Sequence, residues 1–299
     1  MYDIIGDIHG HADELEALLS KMGYRESNGV YRHPERILVS VGDLIDRGPQ
    51  QQRSVEVIKR MCEADSAVCI MGNHEFNAVA WATEDEDGNH LREHSDKNFD
   101  QHQAFLNEAT QDAGWYSDTI EWFKTLPIYL DLPELRVVHA CWHEPSLSVL
   151  DDYASDGVLH SDAWSAANTK GHELYDAIEV LCKGWEVPLP PGYSFLDKDK
   201  NERTEIRTKW WREDDRSYRA LAVGVEDPSN LPEHQVPGDT MPGYDNQKPL
   251  FIGHYWMKGR PSLQSKSIAC VDWSVADNGK MVGYRLDDAG LCDSKFYSV

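Results

Sequence analysis

Three short turns hold the residues of this chain best suited to chemistry. They are Gly6-Asp7-Ile8-His9-Gly10, Gly42-Asp43-Leu44-Ile45-Asp46-Arg47-Gly48 and Gly72-Asn73-His74-Glu75. Each follows an apolar, β-prone run. Two later runs end in His139 and His254. A solvent loop favours Gly, Asn and Asp but has little use for His. As metal donors these residues form a mixed nitrogen and oxygen set without thiolate. Asp7 and His9 are two apart, so one turn can aim both inward. The Asp43 carboxylate can bridge two ions, Asn73 offers a neutral carbonyl oxygen, and His139 and His254 offer imidazoles. Such a set suits Mn²⁺, Fe or Zn²⁺ better than Ca²⁺. Six ligands sharing one carboxylate would hold two ions ~3.5–4 Å apart.

A two-ion centre implies direct attack on phosphorus by a bridging hydroxide, with the phosphoryl oxygens clamped during in-line displacement. The leaving oxygen then needs a proton. His74, beside the ligand Asn73, is placed to be the general acid, with Asp46 to orient it and stabilise its cation. Arg47 can pair in a fork with phosphate oxygens.

The elements that must position these residues follow from the same runs. Residues 2–5, 36–41 and 67–71 read as strands. The stretches holding Leu15, Leu18, Leu19 and Met22, and Val55, Val57, Ile58 and Met61, read as helices between them. Strand, polar turn and helix repeat three times, which predicts an α/β, layered domain. In open α/β sheets, ligands gather at the carboxyl ends of strands. Residues 84–126 open with Glu84-Asp85-Glu86-Asp87 and read as a helical insertion or cap, with helices around Phe99–Ala113 and Trp115–Leu126. Strands resume near 128–132, 135–139, 250–253, 267–272 and 281–286. Residues 184–250 are rich in proline and read as an irregular insertion around one helix at 201–222. The whole of 1–299 reads as a single domain.

The three turns, in this order, resemble those of the phosphoprotein phosphatase branch of the calcineurin-like metallophosphoesterases. That branch includes Ser/Thr protein phosphatases and bacterial symmetrical diadenosine tetraphosphatases. The resemblance is continuous over residues 1–80 and resumes in islands near 139 and 254. It implies a β-sandwich flanked by helices, with the metals at strand ends. It implies that Asp7, His9 and Asp43 bind one ion, and Asp43, Asn73, His139 and His254 the other. His74 and Asp46 match the acid pair, and Arg47 a phosphate-binding arginine. Three positions depart from the pattern. Gly253-His254-Tyr255-Trp256 carries one histidine where wider metallophosphoesterases carry two. Met71 stands where the protein phosphatases have arginine, and Ala140-Cys141 where they have two glycines. The expected activity is hydrolysis of phosphomonoesters, on a phosphoprotein or a small molecule. The alternative is a phosphoanhydride hydrolase like the symmetrical diadenosine tetraphosphatases. A non-catalytic binding module is a third reading, but no ligand or acid residue is lost. Two divalent ions are expected, Mn²⁺ first, with Fe, Zn²⁺ or Mg²⁺ as substitutes.

Residues 198–219 hold Lys198, Lys200, Arg203, Arg207, Lys209, Arg212, Arg216 and Arg219. If 201–222 is helical, Lys209, Arg212, Arg216 and Arg219 share a face, and Arg212 is the expected second phosphate-binding arginine. The bland reading is a solvated helix whose charges pair with nearby acids. Trp210 and Trp211 read as adenine stackers or as packing anchors. His143 is a decoy close to His139, and His11, His90, His94, His102, His160 and His172 are expected on surfaces or caps.

Composition narrows the partners. The chain has 299 residues, of which 40% are hydrophobic and 27% charged. It carries 52 acidic and 29 basic residues, net −23. Such a surface repels nucleic acid and anionic membranes. The excess sits in residues 84–183, with 21 acids against 6 bases. Phosphorylated proteins or small phosphates are the expected substrates, not long nucleic acids. No apolar run approaches the ~20 residues of a membrane span. The start, Met1-Tyr2-Asp3-Ile4-Ile5, has no signal character. Six cysteines without Cys-x-x-Cys spacing read as reduced thiols, so a cytoplasmic protein is expected. Nothing in the sequence sets the oligomeric state.

Overall fold

The computed structural model describes residues 1–196, 201–238 and 240–299. Lys198 and Lys200 of the basic segment lie outside the described residues. Two sheets form the centre. In the first, the strand order is Phe296–Ser298, Val282–Arg285, Tyr2–Ile5, Ile37–Ser40, Ala67–Cys69. Tyr2–Ile5, Ile37–Ser40 and Ala67–Cys69 run parallel, with Ile4 opposite Val39 and Val39 opposite Val68. In the second, the order is Ile268–Cys270, Leu250–Ile252, Arg136–Val138, Tyr129–Asp131, and the first three are parallel.

Strand alternation divides the side chains between two cores. Ile4, Val39 and Tyr284 of the first sheet pack with Val137, Phe251 and Ala269 of the second, so the sheets stack face to face. The neighbouring residues Ile5 and Leu38 turn to the opposite face. There they join Leu15, Leu18 and Leu19 of the helix Ala12–Lys21 and Val55, Ile58 and Met61 of the helix Gln51–Glu63. On the outer face of the second sheet, Ile252 and Cys270 share a core with Leu147, Leu150, Ile178 and Leu181, from the helices Glu144–Asp151 and Glu173–Lys183. The result is a β-sandwich flanked by helices.

Two further helices, Asp96–Ala109 and Ala113–Phe123, follow the helix Asn73–Ala82. Side-chain caps fix their starts: Ser95 accepts from Asn98 N, and Asp112 accepts from Trp115 N.

The segment expected to be a helix at 201–222 is not one. Glu202–Arg203 and Glu205–Thr208 are strands, and only Tyr218–Leu221 is helical. Glu205–Thr208 pairs antiparallel with Glu186–Pro188 and Ala222–Val223. Burial alternates along it, with Ile206 and Thr208 inward and Glu205 outward. Period two, not 3.6, is what buries Ile206 against Val187, Tyr218, Leu221 and Leu231 in a small third core. The proline-rich stretch is therefore structured around a sheet of its own.

Candidate metal centre

The parallel strands of both sheets end at one edge. Ile5, Ser40 and Cys69 deliver the three turns, while Val138, Ile252 and Cys270 deliver His139, Gly253-His254 and Asp272. The turns fit together only through bare backbone. A Cβ on Gly42 would lie 2.3 Å from Gly72 N, and one on Gly72 would lie 2.2 Å from Asp43 Oδ1. His9, Asp43, Asp46, Arg47, His254 and Trp256 all have φ between 48° and 71°. Left-handed backbone is costly for such residues and persists where surrounding structure holds it, often at functional sites.

Glu75 holds two of the turns together. It is fully buried, and its carboxylate accepts from Gly72 N at 3.0 Å and from Asp43 N and Leu44 N, each at 2.8 Å. Burial, aided by Asp43, pushes its acid up to about 7, although these hydrogen bonds oppose the shift. Its motif is visible in sequence, but this bracing role is not.

Asp43 Oδ1 accepts from His74 N at 3.0 Å. Its Oδ2 lies 3.6 Å from His9 Nε2, 3.9 Å from His74 Nε2 and 3.3 Å from His139 Nε2. His139 Nε2 is 3.2 Å from Asn73 Oδ1. His9 Nε2 is 4.0 Å from Asp7 Oδ2, and Asp7 accepts from His254 N at 3.0 Å. The structure thus brings Asp7, His9, Asp43, Asn73, His74, His139 and His254 to one place. Two donor clusters emerge: His9, Asp43 and His74, and Asp43, His139 and His254, with Asp43 common to both.

The donors suit divalent ions. Carbonyl oxygens only accept, so His9 Nδ1 donates to Ile45 O (2.9 Å) and His139 Nδ1 donates to Val41 O (2.7 Å). Both rings therefore aim Nε2 lone pairs inward when neutral, as ligating histidines do. His254 Nε2 is buried without a partner. Burial, with His74 opposite, drives His9 down to about 4, and burial, with Arg207 and His139, drives His254 well down. Burial and Asp272 hold the Asp7 acid well above its ordinary range, and burial lifts Asp272 to about 6. Buried carboxylates crowded together, beside an unpartnered imidazole nitrogen, are what bound cations would relieve.

Beside the clusters sits the acid pair. His74 Nδ1 donates to Asp46 Oδ2 at 2.5 Å. Burial alone would lower His74, but Asp43 and Asp46 outweigh it and raise it. Burial would raise Asp46, but hydrogen bonds from His102 and His74 hold it well below the carboxylate range. His102 was expected on a surface. It is instead 3% exposed, and its Nδ1 donates to Asp46 Oδ1 at 2.9 Å. The signal was present: His102, Phe105 and Ala109 form the buried stripe of their helix at i, i+3, i+7.

A cleft of about 560 Å³ opens from His9 and exposed Arg47. Its walls include Val223, Val225, Tyr255, Trp256 and Lys258, with the Trp256 ring centroid 6.3 Å from that of His254. Arg212 is elsewhere. It donates to Asp214 at 2.8 Å and lines a separate groove with Lys209, Trp211 and Lys266. The expected basic face of Lys209, Arg212, Arg216 and Arg219 is not formed, because its helix is not. The basic residue of that segment with a direct bearing on the centre is Arg207. It opposes protonation of His254, and it sits opposite Val223 of the cleft wall. Its Nε is buried without a partner, while its Nη2 donates to Glu186 at 3.4 Å. Trp210 and Trp211 are buried anchors. Trp210 Nε1 donates to Ala140 O, and Trp211 packs edge-on against Tyr255. The aromatic ring on the cleft is Trp256, 38% exposed.

The family model for calcineurin-like phosphoesterases matches residues 2–234. The asymmetrical bis(5'-nucleosyl)-tetraphosphatase PrpE of Oceanobacillus iheyensis is 32% identical over 176 residues, covering 58% of this chain and 68% of that protein. The same-named protein of Halalkalibacterium halodurans is 45% identical over 74 residues, 24% of this chain and 30% of the relative. The chain thus spans under a third of the second relative's length. A cold-active protein-tyrosine phosphatase of a psychrophilic Shewanella shares the fold, with a TM-score of 0.51 at 15% identity over 99% of this chain and 79% of that one. No helix of the described residues is long and apolar enough to cross a membrane. With a family model matched over most of its length, the chain belongs to the calcineurin-like phosphoesterase family.

Proposed function

We propose that this chain hydrolyses a phosphoanhydride bond of a dinucleoside polyphosphate. The observation that carries the reading is the cleft joining the donor clusters to an exposed aromatic wall. His9 and Arg47 line it together with Trp256, Val223 and Val225, which offer a face for a nucleobase. A phosphomonoester on a protein surface needs no such wall, and the nucleotide-cleaving names of the relatives support the anhydride over the monoester. Asp7, His9, Asp43, Asn73, His139 and His254 would hold two divalent ions, Mn²⁺ the first to test. When bound, these ions supply Lewis acidity at the reacting phosphoryl group.

The chain's own residues do the rest. Arg47 binds non-bridging phosphate oxygens as a fork. Arg207, in place of Arg212, supplies the second cationic contact. His74 keeps its Nδ1–H on Asp46 and delivers the Nε2 proton to the leaving oxygen. The Asp43 and Asp46 carboxylates outweigh burial and favour the protonated ring. Trp256 stacks the base, and burial of the ring face excludes water there.

The test is a product assay under Mn²⁺ with diadenosine tetraphosphate, p-nitrophenyl phosphate and a phosphoserine peptide. ATP and AMP are expected, as the relatives' names indicate; two ADP would mark the symmetrical cut instead. Arg207→Ala should raise KM for the tetraphosphate more than Arg212→Ala. Faster turnover of the phosphopeptide than of the tetraphosphate would overturn the proposal.

A further inference from the structure

His102 lies on the helix Asp96–Ala109, far in sequence from the three turns, yet its imidazole reaches the acid pair. Asp46 Oδ2 takes the Nδ1–H of His74, and Asp46 Oδ1 takes the Nδ1–H of His102 at 2.9 Å. The carboxylate is thus held from both sides by two rings. Its backbone N–H is also committed, to Gln51 Oε1 at 2.6 Å. Arg92 is the other cation felt by Asp46, but its Nη2 donates to Asn98 and Gln101. Among the described residues, His74 and His102 are therefore the only side chains hydrogen-bonded to the Asp46 carboxylate. His102 is itself fixed. It is 3% exposed, its ring centroid is 5.0 Å from Phe105 and 5.9 Å from Trp81, and Trp81 lies on the same helix as His74.

We propose that His102 is a positioning residue for the general acid. An aspartate at φ 70°, held only by His74, could turn about its Cβ–Cγ bond and present either oxygen. The second hydrogen bond removes that freedom. It leaves Oδ2 aimed at His74 Nδ1, which orients the imidazolium so that its Nε2–H points at the leaving oxygen, and after the transfer the neutral ring keeps its Nδ1–H. As the phosphorus–oxygen bond breaks, that oxygen takes its electron pair and the Nε2 proton, while the Nδ1–H stays on Asp46. His102 exchanges no proton in this step. The helix that carries it thereby becomes part of the acid machinery and not only a cover. The proposal rests on the general-acid reading of His74.

The leaving group of a nucleotide anhydride is already weakly basic, so the effect is read on aryl esters of AMP. The phenyl ester needs protonation, and the p-nitrophenyl ester does not. His102→Leu cannot donate, whereas His102→Asn places an amide N–H near the former Nδ1. Trp115→Leu loosens the packing of the same helix at Phe105 without touching His102. His102→Leu should lower kcat for the phenyl ester by about 10-fold or more while changing the p-nitrophenyl ester less than about 2-fold. KM should hold, His102→Asn should recover most of the loss, and Trp115→Leu should slow both esters alike. Equal loss on both esters in His102→Leu, or no recovery in His102→Asn, would overturn the proposal.

A second measurement does not depend on turnover. Proton NMR of the wild-type enzyme should show exchange-protected imidazole N–H signals from His74 and His102, assigned with His74→Asn. In His102→Leu the His74 signal should broaden and exchange faster. An unchanged His74 signal would also overturn the proposal. A wild-type enzyme inactive on diadenosine tetraphosphate but showing both effects would count against the substrate reading alone.

Discussion

At the scale of single residues, the centre is built by close approach. Gly253 precedes His254, and a Cβ there would lie 2.3 Å from Asp7 Oδ1 and 2.8 Å from Val41 Cγ2. Val41 is buried in the sandwich core and cannot give way, so the Asp7 carboxylate must move. Asp7 is proposed as a ligand, and displaced ligands lose metal affinity. Gly253→Ala should weaken Mn²⁺ binding by about 10-fold or more in titration calorimetry, by analogy with changes to residues that orient ligands. Unchanged affinity would remove Asp7 from the ligand set. Donor types and spacing made the cluster legible in sequence, because Asp7, His9, Asp43, Asn73 and His74 lie in three short turns. The stripe of His102, Phe105 and Ala109 marks the ring as buried, but its partner Asp46 is 56 residues away and nothing local in the sequence names it.

At the scale of elements, the helix Asp96–Ala109 ties two regions together. The helix Gln51–Glu63 begins after Gln50, which provides no side-chain cap. Glu108 supplies one from outside, accepting from Gln51 N at 2.8 Å and Gln52 N at 2.7 Å. A carboxylate there satisfies two orphan donors and complements the helix dipole. Glu108→Ala should cost about 1 kcal/mol, as loss of other N-terminal caps does. Thermal unfolding should then shift down by about 2 °C. No shift would mean that water replaces the cap. Most sandwich strands were legible as short apolar runs, those that deliver the motif residues ending at Gly or His, while the edge strand Phe296–Ser298 was not read. The helices Glu144–Asp151 and Glu173–Lys183 went unread, since motif matching ended at His139. The segment 201–222 was misread because its charges suit a helical face, whereas its one deeply buried strand residue pair, Ile206 and Thr208, follows period two.

At the scale of the whole molecule, both sheets direct their parallel strand ends at one point, and that point is charged, buried and sensitive to pH. In the metal-free chain, burial would lower His139, but Asp43 and Asp7 outweigh it and push it up to about 10. An unfolded histidine titrates near ~6.5. The His139–Asp43 pair therefore contributes its full stabilisation below ~6.5 and loses it as pH rises through about 10. Asp7, also raised, acts in the same sense, because its ionisation inside the fold becomes costly as pH rises. His9, lowered to about 4, acts oppositely but only between about 4 and ~6.5, below that window. A divalent ion held by His139 would take its lone pair in place of the proton, so that binding would release the proton and tighten with pH. Between about pH 7 and pH 9 the metal-free chain should lose thermal stability steadily, while the Mn²⁺-loaded chain holds its Tm, so the gap between the two curves widens. His139→Asn should make the metal-free curve shallower, leaving the slope that Asp7 contributes, and narrow the widening. Parallel curves for loaded and metal-free wild-type protein would show that His139 holds no proton that the metal must displace, and would take it out of the centre.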